Sequence, residues 1–281
     1  MNKQTLGYTN LKSRLNAFQT NPLKMIRTYA IIKGLLPIRS AFKMDSPILD
    51  CIDLTDWTMD KVDSPTIDVI LFHKNYGRFL KECLDSIYQQ NVDSNIMLID
   101  GGSTDNTFEV LKEYRHVKVF RLNNKGDIRI SILFGIKQAS SNNVIFFATD
   151  NVMLPNFLGS AMESLNSGKI LAYGDRIFID DQSNFLCEDD KRPYSYKNLK
   201  QGNYIDFSSI VFNTKAIKKV VMFEDIHYSL DWLFLLQLGE NEDLVQYLGF
   251  PVIKYRLHSK QLSSGVKEVL EREVLLIRRW C

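Results

Sequence analysis

The chain has 281 residues, 45% hydrophobic and 24% charged, a balance that excludes a disordered or fibrous protein and suits an ordinary globular one. Its net charge of +2 argues neither way about nucleic acid, and none is assigned as a partner. Cys51, Cys83, Cys187 and Cys281 lie far apart without a CxxC pair, so neither a sequence-local zinc knuckle nor a disulfide framework is indicated, and the setting reads as reducing and cytoplasmic.

From Met1 to Met44 the basic residues, Lys3 through Lys43, are unaccompanied by Asp or Glu; acids then follow from Asp45 to Asp60. Leu11, Leu15 and Phe18, then Ile26, Tyr29, Ile32 and Leu36, recur at amphipathic-helix spacings broken at Pro22 and Pro37. Such basic helices suit the anionic inner face of a cell membrane, and equally a packing face on the main domain or on a second subunit of a homo-oligomer. Residues 1–62 are read as this helical extension. No apolar run approaches the roughly 20 residues that span a bilayer, and no signal-peptide core is present.

Ile67–Phe72 begins the core as a short strand, followed by the loop His73–Gly77 and a helix with Phe79, Leu80, Cys83, Leu84 and Ile87 on one face. Ile96–Asp100 is a buried strand running into Gly101-Gly102, where the backbone can pass close to a ligand, with Ser103 or Thr104 placed to cap a helix starting near Phe108. Val117–Leu122 is a third strand, Ile128–Ala139 a helix and Val144–Ala148 a fourth strand, ending at Thr149-Asp150-Asn151 before another helix that opens by Phe157. This alternation predicts an α/β fold with a largely parallel central sheet flanked by helices. Asp100 and Asp150 both stand at carboxyl ends of strands, where open α/β sheets collect ligands; the pair suits a ligand with hydroxyls, an amide and a metal-bound diphosphate.

Further on, Ile179–Gly202 is polar and reads as a loop, Asn203–Phe212 as an extended segment, and Trp232–Leu236 as an apolar helix behind Asp231. Val266, Val269, Leu270, Val274 and Ile277 trace a helical stripe within residues 265–281. A dinucleotide fingerprint is absent, since Phe72–Gly77 is no G-x-G-x-x-G, and Asn166–Ile170 breaks the P-loop pattern at both ends.

Taken in order, Ile67–Asn75, Cys83–Gln90, Ile99-Asp-Gly-Gly-Ser-Thr-Asp-Asn-Thr107, Phe147–Phe157, Tyr173-Gly-Asp175, Leu230-Asp-Trp232 and Tyr255-Arg-Leu-His258 resemble the pattern of glycosyltransferase family 2. The resemblance implies a GT-A type domain over 63–264 and an inverting transfer from a nucleotide-sugar donor, a UDP-sugar, to a saccharide or lipid-linked glycan, as in bacterial surface polysaccharide assembly. By position it implies that Asp100, with Phe72, Asn75, Gly101 and Ser103, binds the nucleotide. It also implies that Asp150 binds the diphosphate through a divalent Mn or Mg ion with His258 nearby, and that Asp231 is the general base. Glu224 and Asp225 are rival bases.

Three departures stand out. Ala148-Thr149-Asp150-Asn151 replaces the family's Asp-x-Asp-Asp, leaving one carboxylate for metal. Phe72-His-Lys-Asn75 replaces Pro-Thr-Tyr-Asn, so His73 or Lys74 could meet phosphates directly. Between Gly126 and Gly135 the usual acid or Arg-Asn is missing, with Arg129 as the substitute. The thinned acidic motif keeps a second reading open, a degenerate fold that binds a nucleotide sugar as a scaffold subunit.

Overall fold

Every residue of the strand Ile67–His73 is buried, which a strand achieves only when both faces of its sheet are covered. In a computed structural model of the protein, which describes residues 51–53, 64–122, 127–223, 225–262 and 266–280, this strand lies inside one mixed sheet. The chain divides into two compact units, Met1–Ser46 with Val221–Ile226, and Pro47–Val220 with His227–Cys281; the second holds the sheet. The amphipathic helices expected before residue 50 lie outside the described residues.

In chain order the elements are β1 (Cys51–Asp53), β2 (Ile67–His73), α1 (Gly77–Tyr88), β3 (Ser94–Asp100), α2 (Thr107–Leu111), β4 (Val117–Leu122), α3 (Ile128–Gln138), β5 (Asn143–Ala148) and β6 (Val152–Met153). There follow α4 (Phe157–Asn166), β7 (Leu171–Ile179), β8 (Phe185–Glu188), α5 (Tyr196–Leu199), β9 (Ile210–Asn213), α6 (Thr214–Ile217), α7 (Leu230–Leu238), β10 (Val245–Arg256) and α8 (Lys267–Trp280). The strand order is β1-β4-β3-β2-β5-β9-β7-β10-β6, with β8 added beside β7.

The expected parallel arrangement holds for β4, β3, β2 and β5. Beyond them β9 runs antiparallel to β5 and to β7, while β10 is parallel to β7, so the sheet as a whole is mixed. Two further expectations change. Ile179–Gly202 is not a plain loop, because β8 pairs with β7 and α5 follows it. The sheet also begins before residue 63, since Cys51–Asp53 pairs antiparallel with β4.

Register is what builds the crevice. His73 lies opposite Asp100 and Phe72 opposite Ala148, so three parallel strands end flush. Because β3 and β5 leave β2 on opposite sides, the loops after them part at that edge, the switch point where α/β sheets bind ligands. One face of β2 carries Ile67, Val69 and Leu71 into a core with Leu80 and Leu84 of α1 and Phe157 and Leu158 of α4. On the other face α3 approaches closely: a Cβ at Gly135 would stand 2.7 Å from Ile70 Cγ2. Interiors packed to crystal density do not absorb such volume. Gly135→Val is therefore expected to cost about 1–3 kcal/mol of folding stability, read from urea unfolding; an unchanged midpoint would contradict this packing.

Candidate functional site

The β2–β3 corner is assembled by short polar side chains. Asn75 adopts the left-handed conformation, φ 56°, which asparagine tolerates better than most residues. Its Oδ1 accepts from Thr104 N at 2.8 Å and its backbone N donates to Ser103 Oγ at 2.9 Å. Gly101 N donates to His73 O at 2.8 Å. The sequence places Ser103 or Thr104 as the cap of α2, but the N-cap position is Asn106 and neither side chain caps the helix. That task falls to Asp105, whose carboxylate accepts from Thr107 N and, at 2.8 Å, from Gly77 N at the start of α1.

Asp100 is fully buried and already engaged. Its carboxylate accepts from Ser103 N at 2.9 Å and pairs with Arg121 Nε at 3.0 Å. The Arg121 guanidinium, partly exposed, also donates to Ser103 O and lies 5.0 Å from the Phe108 ring centroid. Sequence reasoning missed Arg121, which reads there as an ordinary outward-facing strand residue. Phe72, placed by the sequence at the nucleotide pocket, stacks with Phe146 at 5.8 Å and Phe207 at 6.4 Å.

Of His73 and Lys74, either of which the sequence offers as a phosphate contact, His73 has both ring nitrogens engaged within the protein. It is buried, its Nδ1 is 2.7 Å from Thr149 Oγ1, and its Nε2 is 2.7 Å from Thr107 Oγ1. The Thr107 hydroxyl donates to Asp105 and so faces Nε2 as an acceptor, while Thr149 Oγ1 lies within reach of both Nδ1 and, at 3.1 Å, Phe72 O. Burial lowers its pKa from 6.5 to about 4, against the pull of Asp100, Asp105 and Asp150. His73 is thus a neutral strut tying the loop after β3 to the end of β5, while Lys74 beside it is exposed. Arg129, the other proposed substitute, pairs with Asp127 at 2.6 Å, at the N-terminus of α3.

Across the crevice the end of β5 meets the end of β10. His258 Nε2 stands 3.1 Å from Asp150 Oδ2, and the ring's Nδ1 is buried without a hydrogen-bond partner. Asn151, which replaces an acid, is a structural link: its Oδ1 accepts from Arg256 N at 3.1 Å and its Nδ2 donates to Ser208 Oγ at 3.3 Å. Arg256, also missed from sequence, is buried and donates to Asp150 O at 2.8 Å, Ser183 Oγ at 2.9 Å and Glu82 Oε2 at 2.6 Å. Asn75, Tyr76, Thr104 and His258, with the cations Arg78 and Lys260, line a cleft of about 470 Å³ between the two corners. Among the described residues no three His, Cys, Asp or Glu side chains converge as a metal cluster.

Asp231 opens α7, whose other side chains are almost entirely apolar and buried. Asn203 Nδ2 donates to its Oδ2 at 2.8 Å, and its Oδ1 accepts from Trp232 N at 2.7 Å. Burial, and then the charge of Asp206, raise its pKa to about 7. The segment bearing Asn203 and Asp206 continues to Ser208, whose Oγ accepts from Ala148 N at 3.2 Å, so one short stretch joins Asp231 to the Asp150 corner. Arg176 lies 3.9 Å from Asp206 and is the cation offsetting this acidic group. Of the rival bases, Glu224 lies outside the described residues and Asp225 belongs to the other compact unit.

The family model for glycosyl transferase family 2 matches residues 68–221, more than half of the chain. The glycosyltransferase GlyG of Streptococcus pneumoniae serotype 4 is 23% identical over 182 residues, 59% of this chain and 60% of GlyG, so the chain matches less than two thirds of that relative. An uncharacterized glycosyltransferase of Haemophilus influenzae is 24% identical over 187 residues, 61% of this chain and 73% of that protein. Among solved structures, TarS of S. aureus aligns with a TM-score of 0.58 at 16% identity, over 76% of this chain and 43% of TarS. TarS 1–349 in complex with UDP-GlcNAc gives 0.55 at 16% identity, over 75% of this chain and 66% of that one. The shared architecture is the GT-A fold.

His73 makes acid stability a test of the crevice wall. A group with a depressed pKa contributes stability that is complete above its unfolded value, 6.5, and lost as pH falls toward about 4. Urea unfolding of the wild type should therefore lose roughly 3 kcal/mol more than His73→Gln across that window; parallel curves would contradict the buried neutral strut.

Proposed function

The chain belongs to glycosyl transferase family 2, and from that premise we propose that it moves a sugar from a UDP-sugar, with inversion, onto a hydroxyl of a saccharide or lipid-linked glycan acceptor. The observation that carries the reading is Asp231, a carboxyl with a pKa near 7, fixed by Asn203 at the head of a buried helix. A general base works best when its proton affinity lies near the operating pH and its geometry is locked. Choice of UDP as the nucleotide rests on the likeness of the fold to TarS 1–349, solved with UDP and with UDP-GlcNAc.

In the proposed reaction the acceptor oxygen forms a bond to the anomeric carbon while the bond from that carbon to the diphosphate oxygen breaks on the opposite face. Asp231 takes the acceptor's hydroxyl proton, and the departing UDP keeps the bonding pair. Asp100 holds Arg121 at the nucleotide corner, where its guanidinium offers donors to a base. Asn75, Gly101 and Ser103 shape the turn beneath the nucleotide, and Phe72 supports it from the stack with Phe207.

A divalent Mn or Mg ion fits this corner on one condition. Asp150 and His258 supply one carboxylate and one imidazole within 3.1 Å, so diphosphate and water oxygens must complete the shell. Such an ion, held by Asp150 and His258, would neutralise charge on the departing diphosphate. Arg78 and Lys260 at the rim of the cleft add positive charge near the same place. Among the described residues no helix is long and apolar enough to cross a membrane. The basic stretch before Met44 supports a peripheral contact with the inner membrane face, where a lipid-linked acceptor would be met.

UDP release from a panel of UDP-sugars with Mn²⁺, and thermal shift by the same ligands, test this directly. Asp231→Asn should lower turnover by about 10²–10⁴-fold while keeping the donor-induced shift, and wild-type kcat/KM should rise with pH through about 7. Undiminished turnover in the variant would remove Asp231 as base; binding without turnover for any sugar nucleotide in the wild type would favour the scaffold role. Stability supplies an independent check. A carboxyl whose folded pKa is raised above its unfolded 3.8 loses its stabilising contribution as pH climbs through about 7. Asp231→Asn should therefore unfold at a higher temperature than wild type at pH 8, and an unchanged or lower Tm there would count against the raised pKa.

A further inference from the structure

The helix that carries Asp231 has no cap of its own. Ser229 occupies the N-cap position without a side-chain hydrogen bond to the first turn. The backbone N–H groups leading into it are satisfied from far along the chain. Glu273, on α8, is buried, and its carboxylate accepts from His227 N at 2.6 Å, Tyr228 N at 3.1 Å and Ser229 N at 2.8 Å. His227 Nδ1 lies 3.7 Å from the same carboxylate.

A buried carboxylate is costly unless fully hydrogen-bonded, and here three successive backbone donors meet it at the positive end of a helix dipole. The link to Asp231 is short. Ser229 N is held by Glu273, and Ser229 O accepts the first helical bond, from Leu233 N at 3.1 Å, with Asp231 in the turn between. The same α8 reaches the other side of the base: Arg278 donates to Gln201 O, two residues before Asn203, the side chain that holds Asp231 Oδ2. Ile277, buried between Glu273 and Arg278 along the helix, anchors α8 against the domain.

We propose that Glu273 is a positioning residue for catalysis, its buried carboxylate clamping the entry of α7 so that the Asp231 carboxylate is aimed at the acceptor hydroxyl. This makes α8 part of the active-site support and not an appendage, and it rests on the reading of Asp231 as the base. A carboxylate placed at a helix entry fixes both the position of its first turn and the rotation of the helix about its axis. Misplacing a general base by an ångström costs far more rate than binding, because the donor is held at other strand ends.

A double-mutant cycle with Asp231 separates this from a role in stability alone. UDP release from UDP-sugars is measured for wild type, Glu273→Ala, Asp231→Asn and the double variant, together with the thermal shift each shows with the same donor. Glu273→Ala should lower kcat by about 10–100-fold, leave donor KM and donor-induced shift near wild type, and cost less than about twofold more once Asp231 is already Asn. Amide exchange at His227–Ser229 should quicken. An equal factor in both backgrounds, unchanged kcat, or unchanged exchange would overturn the proposal. Full activity in Asp231→Asn alone would remove the base assignment first, and the clamp with it. Should Glu273→Ala fail to fold, Glu273→Gln keeps the shape but turns an N–H toward the backbone donors, and is expected to show a smaller loss of kcat with the same non-additivity; additivity there overturns the proposal equally.

Discussion

A single guanidinium decides how the crevice is closed. Arg256 ends β10 with its side chain 1% exposed, and burying a cation that far is tolerable only if each donor finds an oxygen. It finds Asp150 O, Asp180 O, Ser183 Oγ and Glu82 Oε2, and its plane packs 4.5 Å from the Phe79 ring centroid. Those partners belong to the loop after β5, the turn between β7 and β8, and α1. A lysine, a point charge with one nitrogen, could not reach backbone carbonyls and side-chain oxygens on three separate segments at once. His258, two residues on, is delivered to Asp150 by this arrangement, which makes the Asp150–His258 pair a consequence of where Arg256 must sit.

The loss of an acid at Asn151 gains a physical account from the same corner. An amide offers both an acceptor and a donor, and Asn151 uses the acceptor toward Arg256 N and the donor toward Ser208 Oγ. A carboxylate there would lose the donor to Ser208 and add a third negative charge near Asp150 and Asp206. Asn151 thereby makes a rigid junction between β5, β10 and the turn before β9. That junction also fixes the stretch from Asn203 to Ser208, and through it Asp231.

Much of the fold was legible because hydrophobic periodicity marks it directly. The limits of β4 and the buried face of α1 follow from apolar spacing alone, as do the two strand-end acids, because a buried parallel strand running into small polar residues has few other readings. What was not legible depends on pairing across sequence distance. β8 is four exposed residues, without a periodic signal, and exists because β7 offers it an edge. The place of His73 depends on Thr107 and Thr149, far from it in sequence, which occupy its two nitrogens. Arg121, Arg256 and Glu273 are charged residues in strands or helices, which a sequence assigns to the surface by default; their placement is decided by partners 21, 106 and 44 residues away in chain order, Asp100, Asp150 and Ser229.

The carboxylates explain why so much rigid structure surrounds the Asp206–Asp231 corner. Burial raises the pKa of both Asp206 and Asp231, and each also feels a neighbouring acid, Asp150 for the first and Asp206 for the second. Ionising Asp231 near neutral pH therefore works against folding, and the acid would relax toward solvent if α7 could turn. Asn203, Glu273 and the Trp232 indole, which donates to Leu199 O at 2.6 Å, hold that helix from three directions. The family match ends at residue 221, whereas Asp231, Arg256, His258 and Glu273 all lie beyond it. The matched segment supplies Asp100, Asp150 and Asp206, and the remainder of the chain supplies Asp231 together with the contacts from Arg256 and Glu273 that hold the two corners in place.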